Sequence, residues 1–84
     1  MTNQFERPMA VDRVVALVED LATVITANPL PPGARISFVV EGATIHGKVV
    51  AIKKRDSREF AVNVRLNSLS RSDRDALESV VSHG

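Results

Sequence analysis

Five cations, Lys48, Lys53, Lys54, Arg55 and Arg58, stand within eleven residues of one another. Binding to a phosphate backbone needs such crowding, because affinity grows with each phosphate neutralised. An acidic protein surface would meet the same residues equally well. The plainer use is a solvated hairpin whose lysines guard a sheet edge and keep the domain in solution. Nucleic acid is disfavoured by the aromatic count. The chain has no Tyr, no Trp and three Phe, at least two of them at core positions, so platforms for stacking bases are missing.

Other chemistry finds little support. His46 and His83 are the only imidazoles. His46 alternates with Ile45 and should face outward, and His83 lies beside the C-terminus. A zinc site needs three or four ligands, and no His, Asp or Glu spacing supplies them. There are no cysteines, which excludes disulfides and thiol catalysis. Ser37, Ser57, Ser68, Ser70 and Ser72 sit in no nucleophile elbow and near no Ser/His/Asp constellation. Asp73 and Asp75, two apart on a helix, diverge. The four glycines, Gly33, Gly42, Gly47 and Gly84, are isolated and cradle no phosphate. Gly42 suits a turn, and Gly47 inside a strand suggests a bulge or a close backbone approach. No catalysis, metal or cofactor is expected.

The elements that position these residues must fit in 84 residues, 44% of them apolar and 25% charged, which makes one small globular domain. No apolar run approaches the ~18–20 residues of a membrane span. Residues 1–8 lack the basic and apolar regions of a signal peptide, so a cytoplasmic setting is expected. A chain this short buries only ~60% of its unfolded surface, and with no staple available self-association, as a homodimer, is expected.

Residues 1–7 read as a flexible N-terminus, with Phe5 as an anchor, and residues 8–84 as the single domain. Pro8 suits a first helical turn, and Val11, Val14, Val15, Val18, Leu21, Ala22 and Ile25 recur at helical spacing after it. Leu17 and Val24 widen that stripe to about half the circumference, so the helix should touch two surfaces. Asn28-Pro29 ends it. Three strands follow: residues 35–40, residues 44–52 and residues 60–66, with Glu41-Gly42 as a tight turn and residues 53–57 as a solvated loop. Ser70 caps a closing helix that carries Leu69, Ala76, Leu77, Val80 and Val81 on its apolar face. The expected fold is α+β, a three-stranded antiparallel sheet flanked by two helices in the order α-β-β-β-α.

Charge divides with these elements. Residues 35–71 carry eight Lys/Arg against three acids, a net +5, while the flanking segments are each net −2. Val39, Val50 and Ile52 alternate onto the face opposite Phe38 and Val49, which makes the sheet apolar in patches on both sides. Joined to the rim cations Lys48 and Arg65, they form the expected partner-binding surface of a non-catalytic adaptor that acts by protein–protein contact. The alternative is nucleic-acid binding through Lys48, Lys53, Lys54, Arg55 and Arg58.

Gly33-Ala34-Arg35-Ile36-Ser37-Phe38, Gly47-Lys48-Val49-Val50 and the run from Phe60 to Leu66 carry a hydrophobic pattern that resembles the C-terminal half of PilZ domains. The tail from Leu69 to Val81 is similar to that family's closing helix. PilZ domains are small bacterial β-barrel modules, many of them cyclic di-GMP receptors. Their signature is RxxxR followed by DxSxxG, and neither motif occurs here, so the resemblance implies an adaptor that does not bind cyclic di-GMP. The expected element order also resembles double-stranded RNA-binding domains, but the basic run that opens their last helix is missing. Ser70-Arg71-Ser72-Asp73-Arg74-Asp75 stands there instead.

Overall fold

The residues that dominate this chain, Val, Ile and Thr, lose rotamer freedom in a helix and pack well on a pleated surface. The computed structural model describes residues 6–67 and 69–81, and in it more than half of them form sheet. Six strands, β1 (Arg7–Pro8), β2 (Arg13–Val18), β3 (Leu21–Thr26), β4 (Arg35–Val40), β5 (Ala43–Asp56) and β6 (Glu59–Leu66), are followed by α1 (Arg71–Val80). They make one mixed sheet in the order β1-β4-β5-β6-β3-β2, in which only the β1–β4 pair is parallel.

This overturns the three-stranded sheet with two flanking helices. The segment expected to form the first helix is instead a β-hairpin, β2 and β3, paired from Arg13↔Ile25 to Val18↔Leu21. Glu19, at φ 56°, turns the chain between them. The apolar stripe spans about half a helical circumference because two strand patterns are superposed in it. Val14, Ala22 and Val24 point into the core from opposite arms of the hairpin. Pro8 begins no helix and lies in β1, where its missing N–H is tolerated at a sheet edge. Phe5 lies outside the described residues.

Residues 9–12 carry the chain from one edge of the sheet to the other. Met9 N–H donates to Ser37 O of β4 at 2.9 Å, and Asp12 N–H donates to Ile25 O of β3 at 2.7 Å. The sheet must therefore curl, and its concave side holds the core: Val14, Val24, Ile36, Phe38, Ile45, Val49, Val62, Val64 and Leu77. Thr26, the one buried polar residue among those described, seals this crossing with a hydroxyl that donates to Ala10 O and accepts from Asn28 N–H.

Local chemistry accounts for the turns and the helix. Glu41 at φ 49° and Gly42 at φ 81° make the two-residue turn between β4 and β5, whose twist matches the strands. A Cβ at Gly47 would stand 2.6 Å from Val64 Cγ1 and 2.7 Å from Arg65 O, so the close approach expected there is real. Ser70 caps α1 as expected, its hydroxyl accepting from Asp73 N–H at 3.1 Å. Arg74 ties the helix to the β2–β3 turn by donating to Glu19 O at 2.9 Å. Leu77 is fully buried beneath it.

Candidate functional site

The convex side of the sheet carries the charge. Following the register across it, Arg35 of β4 stands opposite Lys48 of β5, and Lys48 stands opposite Arg65 of β6. All three are exposed. Directly opposed residues hold their Cβ atoms ~4.5–5.5 Å apart, so three positive stems rise side by side. Among the described residues no carboxylate lies within ion-pair distance of any of them, because the ion pairs found involve Arg13, His46 and Arg74. The same row continues through Leu21 to Val18, which is 66% exposed.

Two rows along, Lys53, Ala61, Ile25 and Arg13 form a second line. Arg13 is offset here by Glu59 at 3.5 Å, but Lys53 is not. Between the two lines lie Ala51, Asn63, Thr23 and Ala16, with the Thr23 hydroxyl donating to Asn63 Oδ1 at 2.8 Å. The convex face is thus a shelf of small and neutral side chains, bounded on one side by Arg35, Lys48 and Arg65 and on the other by Lys53, the buried Ile25 and the paired Arg13.

The expected apolar surface does not assemble as the alternation suggested. Val39 is 67% exposed but pairs with Thr44 at the far end of the β4–β5 hairpin, four residues beyond Arg35. Val50 is 47% exposed. The pairing passes from Val49↔Val64 directly to Ala51↔Asn63, which leaves Val50 as the extra residue of a β-bulge. One extra residue reverses the alternation, so Ile52 turns inward against Val62 and packs on the core instead of joining Val39 and Val50. Lys48 and Arg65 do come together, and Arg35 joins them. Sequence reasoning passed over Arg35, although its place before Ile36 and Phe38 put it on the outer face. Only the register showed which cations it would meet.

Residues 53–56, expected in a loop, continue β5, and the turn falls at residues 57–58. Lys53, Lys54, Arg55 and Arg58 are all exposed along this projecting hairpin. Its acid, Asp56, accepts from Ser57 N–H. His46 faces outward as expected and sits 2.6 Å from Glu6 through Nδ1; His83 lies outside the described residues.

Two depressions open near the sheet edges. One, of about 520 Å³, is lined by Pro8, Met9, Ala10, Val11, Ser37, Phe38 and Val39, and Ser37 is its only polar side chain. The other, of about 230 Å³, holds Asp12, Arg13 and Glu41 beside Val11, Val14, Val39, Val40 and Val80. Neither places a nucleophile beside a base. Among the described residues no group of three His, Cys, Asp or Glu could hold a metal ion, and no helix is long and apolar enough to cross a membrane. Comparison with protein-family models, curated proteins and solved structures finds no match to this chain.

Proposed function

We propose that this chain is a non-catalytic binding module that docks an acidic segment of a protein partner on the convex face of its sheet. The carrying observation is the alignment of Arg35, Lys48 and Arg65 on three neighbouring strands with no carboxylate among them. Like charges directly opposite one another across a sheet are destabilising by roughly 0.2–1 kcal/mol each. Nothing within the described fold offsets that cost, whereas an anionic partner would. A polypeptide fits better than a nucleic acid. Phe38 is buried and Phe60 half-buried, so neither offers a stacking surface, while Val50 and Ala51 add an exposed apolar strip beside the cations. The PilZ-like pattern lends mild support to the same class, since members that lack the nucleotide signature tend to act as protein-binding adaptors.

The test combines capture with charge reversal. The chain carrying Lys48→Glu and Arg65→Glu keeps its far-ultraviolet circular dichroism and loses, by at least about tenfold, the companions that the unaltered chain retains from nuclease-treated lysate of its host. Companions held equally by the variant, or lacking acidic stretches, overturn the reading. A second reading rests on the exposed hairpin cations Lys53, Lys54, Arg55 and Arg58. It requires nucleic-acid binding that weakens with salt and disappears when Lys53, Lys54 and Arg55 become Ala. No binding at low salt removes it.

A further inference from the structure

We infer that the acidic partner is held as an added strand along the free edge of β5, at Ile52 and Lys54. This rests on the acidic-partner reading above and specifies how the partner is gripped. β5 is 14 residues long, yet β4 covers its outer side only as far as Lys48. The loop before β4 closes one more position: Gly33 N–H donates to Val49 O at 2.7 Å, and Val49 N–H donates to Ala34 O at 2.9 Å. Beyond Val49 no strand pairs with that side of β5, and among the described residues no loop backbone bonds to it.

The parity of the ladder identifies the open groups. Alternate residues of an antiparallel strand send their N–H and C=O to opposite sides. Leu66 N–H donates to Asp20 O beside β3, so the even positions of β6 face β3 and the odd ones face β5. Asn63 and Ala61 therefore bond their partners Ala51 and Lys53. Ile52 and Lys54, lying between and beyond these, point their backbone groups to the uncovered side.

The side chains along this edge specify the occupant. Lys53, Lys54 and Arg55 are exposed, with Val50 and Ala51 beside them. A strand bearing acidic residues with interspersed apolar ones would gain main-chain hydrogen bonds and charge pairing together. A second copy of this edge would set Lys53, Lys54 and Arg55 against themselves, which is how edge lysines prevent self-pairing. The occupant is a different, acidic, extended polypeptide.

Amide hydrogen exchange of the full chain tests this with a short synthetic peptide of alternating glutamate and valine. In the free chain Ile52 and Lys54 amides exchange fast while Ala51 and Lys53 are protected. At a peptide concentration about ten times its Kd, exchange at Ile52 and Lys54 slows about tenfold. Lys54→Pro, which removes an outward donor that the β5–β6 ladder does not use, weakens peptide binding more than Lys54→Gln does. Saturable binding without new protection at Ile52 and Lys54 overturns the added strand and leaves the acidic-partner reading standing. No binding at low salt overturns both. Protection present in the free chain and rising with its concentration would assign the edge to a second copy, and equal protection by an oligonucleotide would assign it to nucleic acid; either overturns the inference.

Discussion

Gly47 shows how far a single residue constrains this sheet. It sits between Ile36 of β4 and Leu66 of β6, and a methyl group there would collide with Val64 Cγ1 and with the carbonyl of Arg65. The side chain could rotate away, but the carbonyl belongs to the ladder and cannot. Gly47→Ala is expected to cost about 1–3 kcal/mol, read as a lower urea midpoint at unchanged slope. Thr26 is constrained by polarity instead of volume. Thr26→Val keeps the shape but orphans Ala10 O and Asn28 N–H where the chain crosses between sheet edges. A loss of about 1–3 kcal/mol is expected, against a near-neutral Thr23→Val on the half-buried outer face. Equal losses at the two threonines would show that the crossing is not sealed by hydrogen bonding.

At the scale of elements, α1 and the β5 bulge each have a distinct job. The helix covers the core through Leu77, and its start is set by the Ser70 hydroxyl. Ser70→Ala should therefore cost about 1 kcal/mol, and Leu77→Ala about 2–5 kcal/mol, because the second opens a cavity and the first only frays an end. Urea denaturation of both variants separates the two roles. The bulge sets the parity of β5. Deleting Val50 would leave Val49↔Val64 and Ala51↔Asn63 as consecutive pairs, with every inward residue still inward. The shortened chain is expected to fold with less than about 2 kcal/mol lost, the change falling on local twist. Unfolding of that variant would mean the bulge's curvature is itself needed to close the sheet.

For the whole molecule, the small total of +1 hides an uneven field, with seven of the nine Lys and Arg that make no ion pair among the described residues lying on one face and its projecting hairpin, Arg7 and Arg71 being the others. Exposed like charges are screened over ~8–10 Å at physiological salt. Stability should therefore rise by a few tenths of a kcal/mol between low and moderate salt, and Arg65→Gln should reduce that rise while stabilising the chain at low salt. Thermal melts of both proteins across a salt series provide the check. A flat response in the unaltered chain would show that the row is no liability, and the argument for an anionic partner would lose its footing.

The sequence by itself determined the local pieces whose causes are local. Ser70 announced a helix start, Glu41-Gly42 a hairpin turn, and the alternation through residues 35–40 and 60–66 a pair of strands with one face inward. It also showed the cationic excess of the middle of the chain, although Lys48 and Arg65, expected at a rim, stand on the two central strands of the sheet. It misled where two physical patterns share one signature. Apolar residues three and four apart in residues 11–25 suit one helix or two short strands around a turn, and the β-branched content that favours strands acts through packing that no local window contains. Only the tertiary structure decided what depends on register: that Val50 is an extra residue and turns Ile52 inward, that Arg35 stands beside Lys48 and Arg65, and that β5 outruns β4. Register is set by the closing of the whole sheet, by residues 9–12 joining its two edges and by α1 covering its core, and those contacts join residues far apart in the chain.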